Sequence, residues 1–326
     1  MNHQAHSFHS LHTANLIRES FFLNPESAVT PELIEAFFTA QRTGDFRSVI
    51  PHTTGEHSDR FRIHFTHDID WLHPFHPYSL VNYIRSLFTS RQWLGYNQLF
   101  QKDIFLRTIN QVLEMEKQAG IKAVYHIGAT NGMHLNRYGI RYNQSDALYT
   151  ELVALLNSYH QHTGLHSSYN ADAEQHIHSE KLHLEEYTHK PVLAHRSHFL
   201  HSHPDTLYPQ LEASGIQYEF GNGLAREVGL TNHFPGKYKP VNLPLQTVLN
   251  VTVIPLILVD NVFFVKPYHE VLRSFKDTLQ QLKEYNGSAC VLFHPENMLL
   301  KPQLWNYFEE IIHICKNEGA IVNSSL

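Results

Sequence analysis

Hydrophobic and polar residues alternate over residues 61–66, FRIHFT, where Phe61, Ile63 and Phe65 share one face. A period of two is typical of a half-buried β-strand, because successive side chains point to opposite faces of a sheet. The strand runs directly into the segment His-Asp-Ile-Asp, which ends at Asp70. Carboxylates at the end of a buried strand are costly unless a cation or another partner compensates them. The pattern therefore predicts a strand that leads into a polar site.

Short apolar runs and longer helical patterns alternate along the rest of the chain. Apolar spacing, prolines and terminal glycines predict helices at residues 103–119, 145–160, 171–187, 204–214, 268–285 and 302–316. Strands are predicted at residues 122–127, 191–194, 216–218, 251–259, 289–293 and 320–322, with a short segment at 164–166. Repeated βα units of this kind indicate an α/β fold with a parallel sheet.

The amino-terminal part of the chain has a different character. Thr30 and Pro31 are typical of a helix start, and an apolar stripe at helical spacing follows them. No candidate chemistry is visible there. We expect residues 1–58 to form a helical extension packed on a main domain of residues 59–326.

Polar residues recur directly after the predicted strands. They are Asp68, Asp70, His126, His166, Arg196, Glu219, Asp260 and His294. In a β/α barrel the carboxyl ends of all strands meet at one face, where active sites are built. The chain has 27 histidines. A single histidine after a strand is therefore explained equally well by an ordinary hydrogen bond in the core. The mixture of Asp, His and Arg at several strand ends nevertheless favours a common site.

The chemistry of these residue types suggests how such a site could work. Asp68 and Asp70 are two residues apart, so one can bind a metal while the other acts as a base, or both can cap the following loop. His166 is suited to zinc and its neighbours in the first transition series. Arg196 can hold a carboxylate with two hydrogen bonds. His294, at the end of a buried strand, can donate a proton to a leaving group.

Composition restricts the partners and the compartment. The formal charge is −6 without a basic run, which does not suggest nucleic-acid binding. The longest apolar run, residues 248–265, is interrupted by polar residues and proline, so we expect no membrane span. Cys290 and Cys315 lie in apolar runs and are expected to be reduced core residues. With no signal-peptide pattern at the start of the chain, these features predict a cytoplasmic protein.

Five blocks in a fixed order carry a family resemblance. They are THDID, GLHSSYN, HRSHF, a strand that ends in aspartate, and LFH. The sequence resembles the polysaccharide deacetylase (NodB-homology) superfamily over residues 61–322, and within it the bacterial branch with THDxD, LHxSY and RxH blocks. The resemblance implies a distorted β/α barrel, a divalent metal, with zinc as the expected ion, and hydrolysis of an N-acetyl group on a sugar.

The resemblance also implies a metal-ligand set. Asp70 matches the metal-binding aspartate and His166 the first metal-binding histidine. The second histidine of the family falls at Asn170, a weaker ligand. His198 stands where the family commonly has proline, and is the alternative third ligand. Ile69 separates two aspartates that are usually adjacent in the family.

The same match assigns the catalytic roles. Asp68 corresponds to the general base and Arg196 to the arginine that pairs with it. His294 corresponds to the catalytic acid, with Asp260 as its expected partner. A metal-dependent carbohydrate deacetylase is thus expected. The alternatives are an impaired barrel that binds carbohydrate or metal without turnover, and a metal hydrolase acting on another amide or ester.

Overall fold

A computed structural model describes the protein at residues 61–72, 103–129, 142, 147–231, 235–242 and 247–324. The predicted extension at residues 1–58 lies outside these ranges, as does its boundary with the main domain. The other predicted elements can be compared with the structure.

The described chain contains ten strands and seven helices, and helices separate the strands except between the fifth strand and the ninth. The strands are β1 (Arg62–Ile69), β2 (Val124–Ile127), β3 (His162–Ser167), β4 (Ala194–Ser197), β5 (Tyr218–Glu219), β6 (Val241–Asn242), β7 (Thr247–Val248), β8 (Thr252–Val253), β9 (Leu256–Val259) and β10 (Ser288–Leu292). The helices are α1 (Ile104–Ala119), α2 (Ala147–Ser158), α3 (Ile177–Thr188), α4 (Pro204–Ala213), α5 (Tyr268–Glu284), α6 (Pro295–Leu300) and α7 (Gln303–Asn317).

Eight of these strands form one parallel sheet in the order β8-β5-β4-β3-β2-β1-β10-β9. The sheet curls into a distorted β/α barrel, as predicted. Its two terminal strands, β8 and β9, are consecutive in the chain, and only residues 254 and 255 separate them. Strands β6 and β7 form a small antiparallel pair outside the main sheet.

The helices cover one face of the sheet and bury its apolar side chains. Phe65 of β1 packs edge-on against Phe308 of α7, with ring centroids 5.9 Å apart. The opposite face carries a smaller apolar cluster, which includes Phe220, Val259 and Leu292. Successive side chains of a strand alternate between these faces, so the polar residues beside the smaller cluster point into the barrel.

Helix α1 is tied to the sheet by one buried carboxylate. Glu116 accepts hydrogen bonds from His67 Nε2 of β1 and from the Tyr125 hydroxyl of β2, at 2.8 and 2.7 Å. The other ring nitrogen of His67 lies 2.8 Å from the carbonyl oxygen of Phe293. A charged group at a buried position is thereby satisfied by polar partners from neighbouring strands.

Some predicted boundaries are wrong. The strand predicted at 251–259 is two strands, because Pro255 has no N–H to donate, and β8 and β9 pair with β5 and β10 respectively. The helix predicted at 171–187 begins only at Ile177. The last predicted strand is a single bridge between Ile321 and Arg62. Helix α6 and the β6–β7 pair were not predicted.

Candidate functional site

The carboxyl ends of β1, β3, β9 and β10, with the turn after β4, surround one cavity. Its polar lining is Asp68, Asp70, His166, His198, Asn261 and His294. Its apolar lining is Phe199, Leu200, Ala225, Val259 and Leu292. Five of the residues singled out from the sequence therefore share one cavity, and Arg196 and Asp260 lie behind it.

Arg196 is fully buried at the end of β4 and holds Asp68 in place. Its Nη1 donates to Asp68 Oδ1 at 2.8 Å, and its Nη2 donates to Thr66 Oγ1 at 2.9 Å. Nε and Nη2 both donate to the carbonyl oxygen of Phe220, at 3.1 and 2.9 Å. The rigid guanidinium fork thus fixes one carboxylate oxygen relative to two strands.

Asp68 is ionised in this setting. Burial opposes its charge, but the guanidinium of Arg196 and the imidazoles of His166 and His126 outweigh burial and hold the pKa of Asp68 well below its usual range. Its Oδ2 faces the cavity, 3.9 Å from His166 Nε2 and 4.0 Å from His294 Nε2. The oxygen not bound by Arg196 is therefore the one available for chemistry.

Asp70, His166 and His198 form a second cluster on the same cavity. His166 Nε2 lies 3.2 Å from Asp70 Oδ1, and His198 Nε2 lies 3.8 Å from Asp70 Oδ2. One potential ligand atom from each of the three lies within 4.8 Å of the others. Burial opposes the charge of Asp70, but the neighbouring imidazoles of His198 and His166 lower its pKa, so it also carries a negative charge.

The orientation of the His166 ring follows from its other nitrogen. Nδ1 lies 3.0 Å from the backbone carbonyl oxygen of Arg196, to which only an N–H can donate. In the neutral ring Nε2 then presents a lone pair to Asp70. Within the described chain Asp70 Oδ1 accepts no hydrogen bond, although it is buried. Burial lowers the pKa of His166, but the carboxylates of Asp68 and Asp70 outweigh burial and raise it. A positive charge at Nε2, whether a proton or a metal ion, would therefore pair with Asp70 Oδ1 across this 3.2 Å gap.

These residues fit a divalent metal. Two imidazoles and a carboxylate are a ligand set typical of catalytic zinc, which leaves a position open for water or substrate. Ligand atoms of a tetrahedral zinc site are about 3.3 Å apart when the bonds are 2.0–2.1 Å, close to the 3.2 Å and 3.8 Å measured here. The carbonyl behind His166 is the kind of second partner that fixes a metal-binding imidazole.

His294 follows β10 and is held by Asp260, which follows β9. Its Nδ1 lies 2.7 Å from Asp260 Oδ1, and its backbone N–H donates to Oδ2 at 2.8 Å. Burial alone would lower the pKa of His294, but the carboxylate of Asp260 outweighs burial and raises it to about 10. The ring is consequently protonated at neutral pH, with Nε2–H directed at the cavity side of Asp68.

The structure separates the two alternatives for the third ligand. His198 is buried and lines the cavity, and its ring lies 4.9 Å from that of His166 between centroids. Asn170 is exposed and does not line the cavity. Glu219 is also absent from the lining, because its carboxylate turns to His195 on the neighbouring strand. The geometry favours His198, and its role as a ligand stays a prediction.

The sequence interpretation missed Asn261, which lines the cavity, and a glutamate behind Asp70. Glu296, in the first turn of α6, accepts a hydrogen bond from the backbone N–H of Asp70 at 2.8 Å. Burial, followed by the negative charge of Asp70, raises the pKa of Glu296 to about 8. A carboxylate two residues after a strand-end histidine was the available sequence signal. It was missed because α6 itself was not predicted.

Comparison with solved structures identifies the fold of the chain. No family model and no curated protein matches the sequence. Among solved structures, a "putative polysaccharide deacetylase" from Mycobacterium smegmatis superimposes with a TM-score of 0.55 at 13% identity, over 83% of this chain and 90% of that one. The chain has the polysaccharide deacetylase (NodB-homology) fold. The architecture implied by the resemblance is confirmed, and the THDxD branch within that superfamily stays a prediction.

Two further solved structures align with lower scores. A family 4 carbohydrate esterase from Streptomyces lividans, in complex with acetate, has a TM-score of 0.42 at 10% identity, over 81% of this chain and 92% of that one. A CE4 family pseudoenzyme from Bacillus anthracis has a TM-score of 0.42 at 12% identity, over 82% of this chain and 64% of that one.

Across the described residues, no helix combines the length and apolarity needed to cross a membrane.

Proposed function

We propose that the protein is a metal-dependent hydrolase that removes an acetyl or related acyl group from an N-acetylated sugar. One observation carries the proposal. The cluster of Asp70, His166 and His198 lies beside an ionised Asp68 and a protonated His294, and Asp68 Oδ2 is 4.0 Å from His294 Nε2. The NodB-homology fold makes a carbohydrate the expected substrate class, and the cytoplasmic location stays a prediction.

In this proposal Asp70, His166 and His198 hold the divalent ion. Such an ion supplies Lewis acidity, which polarises an acyl carbonyl and makes water more acidic. The carbonyl oxygen of Arg196 accepts from His166 Nδ1, which would leave Nε2 to bind such an ion, and Glu296 fixes the backbone of Asp70.

Asp68 and His294 then divide the proton transfers between them. Asp68 Oδ2 accepts a proton from the attacking water, since Arg196 keeps the carboxylate ionised. His294 Nε2 gives a proton to the leaving nitrogen, while Asp260 at Nδ1 stabilises the charged ring. A base and an acid that are held in opposite protonation states suit amide hydrolysis, in which a proton must be removed and another delivered.

The walls of the cavity suit a small acyl group. Leu200, Val259 and Leu292 supply apolar surface next to the charged residues. Phe199 lies at the same rim and has a φ of 60°, an unusual conformation for a non-glycine residue. We place the backbone N–H of Phe199 as a hydrogen-bond donor to the developing oxyanion, the role that backbone amides commonly fill in acyl transfer.

Two variants with matched metal measurements test this function. Asp68→Asn should keep the bound metal and lose about a hundredfold or more in turnover, because it removes the base. Asp70→Ala should lose both the bound metal and the turnover. Metal content by mass spectrometry and acetate release from a panel of N-acetylated mono- and oligosaccharides provide the readouts.

Other results would point to other functions. Full turnover by metal-free Asp70→Ala protein contradicts the mechanism. Stoichiometric metal with no acetate release from the panel indicates a binding protein on the same barrel. Release from non-carbohydrate amides or esters alone indicates a hydrolase of another substrate class.

A further inference from the structure

His126, at the carboxyl end of β2, contacts the proposed base from the side opposite the cavity. It pairs with Asp68 in the β1–β2 register, so both side chains point into the barrel. Its Nδ1 lies 3.3 Å from Asp68 Oδ1, the oxygen that also accepts from Arg196 at 2.8 Å. His126 is fully buried. Neither the mechanism above nor the family resemblance gives this histidine a role.

The surroundings of the ring decide which nitrogen carries the proton. Arg196 Nη1 is within hydrogen-bond reach of Nδ1, at 3.5 Å, and would need a lone pair there. The carboxylate oxygen is closer, at 3.3 Å, and would need a proton on Nδ1. A lone pair on Nδ1 would face that carboxylate and be repelled. Nε2 has no partner among the described residues. An unpaired acceptor is tolerated better in a protein interior than an unpaired N–H, so the proton belongs on Nδ1.

The neighbouring strand leaves room for this orientation. A Cβ atom added at Gly164 of β3 would approach His126 Cδ2 to 2.6 Å and Nε2 to 3.1 Å. Real Cβ atoms do not approach another atom to 2.6 Å, so a side chain at residue 164 would displace or tilt the imidazole. Burial, followed by the charge of Arg196, lowers the pKa of His126 to about 3, so the ring is neutral.

We propose that His126 is a positioning residue for Asp68: its Nδ1–H and Arg196 Nη1 both occupy Oδ1 and leave Oδ2 as the reactive oxygen. A carboxylate held by one donor alone can rotate about its χ2 torsion and exchange its oxygens. A second donor on the same oxygen restrains that rotation. This role rests on the proposed function, because it presumes that Asp68 Oδ2 accepts the proton.

The tautomer can be measured without any substrate. Long-range ¹H–¹⁵N spectra of the purified full chain, labelled at histidine nitrogens, report which ring nitrogen carries the proton. The resonance of His126 is assigned by its disappearance in His126→Asn. A neutral Nδ1–H ring is expected. An Nε2–H or doubly protonated ring overturns the proposal, even if no hydrolysed substrate has been found.

Amide isosteres then test the positioning itself. The Asn side chain places its N–H₂ near the position of Nδ1, and the Gln side chain places it near Nε2. His126→Asn should retain kcat within about threefold of wild type, whereas His126→Gln and His126→Leu should lose about tenfold to a hundredfold with KM unchanged. Equal losses in Asn and Gln variants, or a loss in KM alone, would overturn the role. Bound metal, measured in each variant, must stay at the wild-type level.

Gly164→Ala provides a second route to the same displacement. It should lower kcat in the wild-type background and have a smaller effect in His126→Leu, because no imidazole remains to be displaced. Equal effects in both backgrounds contradict a role that acts through His126. Absence of acetate release from the wild-type protein would count against the proposed function, while the tautomer still decides the geometry.

Discussion

Arg196 orders the polar residues on the inner face of the barrel. It is among the largest fully buried side chains in the described chain, and it binds Asp68, Thr66 and the carbonyl of Phe220 together. Burying such a charge is costly unless its hydrogen-bonding groups are satisfied. The same contacts that offset this cost also aim the carboxylate of Asp68.

Removal of this charge should therefore lower the free energy of unfolding. Arg196→Met leaves Asp68 buried without its counterion, and we expect a loss of about 3–5 kcal/mol in the free energy of unfolding. Adding Asp68→Asn should recover at least about 1 kcal/mol, because the orphaned charge is gone. Urea denaturation measures both. Strict additivity of the two changes would argue against the pairing.

The third metal ligand can be decided by comparing two variants. His198→Ala should weaken zinc binding by more than about a hundredfold, a larger effect than the loss of a residue behind a metal site. Asn170→Ala should bind zinc as the wild type does, because Asn170 is exposed and lies outside the cavity lining. Isothermal titration calorimetry on the metal-stripped proteins gives both affinities, and the reverse ranking would restore Asn170 as the ligand.

Sequence reasoning reached the residues of the site but not the choice among them. Asp68, Asp70 and His294 lie at the ends of strands whose apolar pattern is plain, and His166 ends a shorter predicted segment, so their convergence could be predicted. The choice between His198 and Asn170 depends on the turn after β4, where Phe199 has a φ of 60°. No periodicity in the sequence encodes that turn.

At the scale of elements, helix α1 depends on Glu116 for its position. The carboxylate receives hydrogen bonds from β1 and β2, so a single residue fixes the helix to two neighbouring strands. The apolar spacing of α1 was enough to predict the helix over residues 103–119. The anchoring role of Glu116 could not be predicted, because a single glutamate in an amphipathic helix is typical of the solvent-exposed face.

Loss of this anchor should cost more than an ordinary surface change on the same helix. Glu116→Ala leaves the His67 and Tyr125 donors buried without their acceptor, and we expect a loss of about 2–5 kcal/mol in unfolding free energy. Gln111→Ala, at an exposed position of α1, should change it by less than about 0.5 kcal/mol. Equal midpoints of urea unfolding for the two variants would contradict the anchoring role of Glu116.

At the scale of the whole molecule, buried neutral histidines make the fold sensitive to acid. His64 is enclosed between Ser324 and Ser288, with ring nitrogens 3.0 and 3.2 Å from their hydroxyl oxygens. Burial, helped by the charges of Arg62 and Lys237, lowers the pKa of His64 to about 3. The unfolded chain, with an ordinary histidine pKa near 6.5, binds more protons below that pH.

The contribution of His64 to the free energy of unfolding is thus fully present above pH 6.5 and declines as the pH falls toward 3. Between pH 7 and pH 5 the decline from His64 alone should be about 2 kcal/mol. His64→Gln, which has no titrating ring, should show a correspondingly shallower decline. Denaturant midpoints at a series of pH values check this, and parallel curves for the two proteins would exclude His64 as a source.

The arrangement of β8 and β9 has a consequence for association. Residues 254 and 255 connect the two terminal strands of the sheet, so the polypeptide chain itself joins the two edges of the barrel. Beyond the sheet, Tyr238 exchanges two backbone hydrogen bonds with Val253, and the N–H groups of Leu256 and Gly229 join β9 to the segment after β5. Among the described strands, neither end of the sheet presents a free row of amides to a foreign strand. The barrel accordingly offers little template for edge-to-edge aggregation or strand exchange between copies.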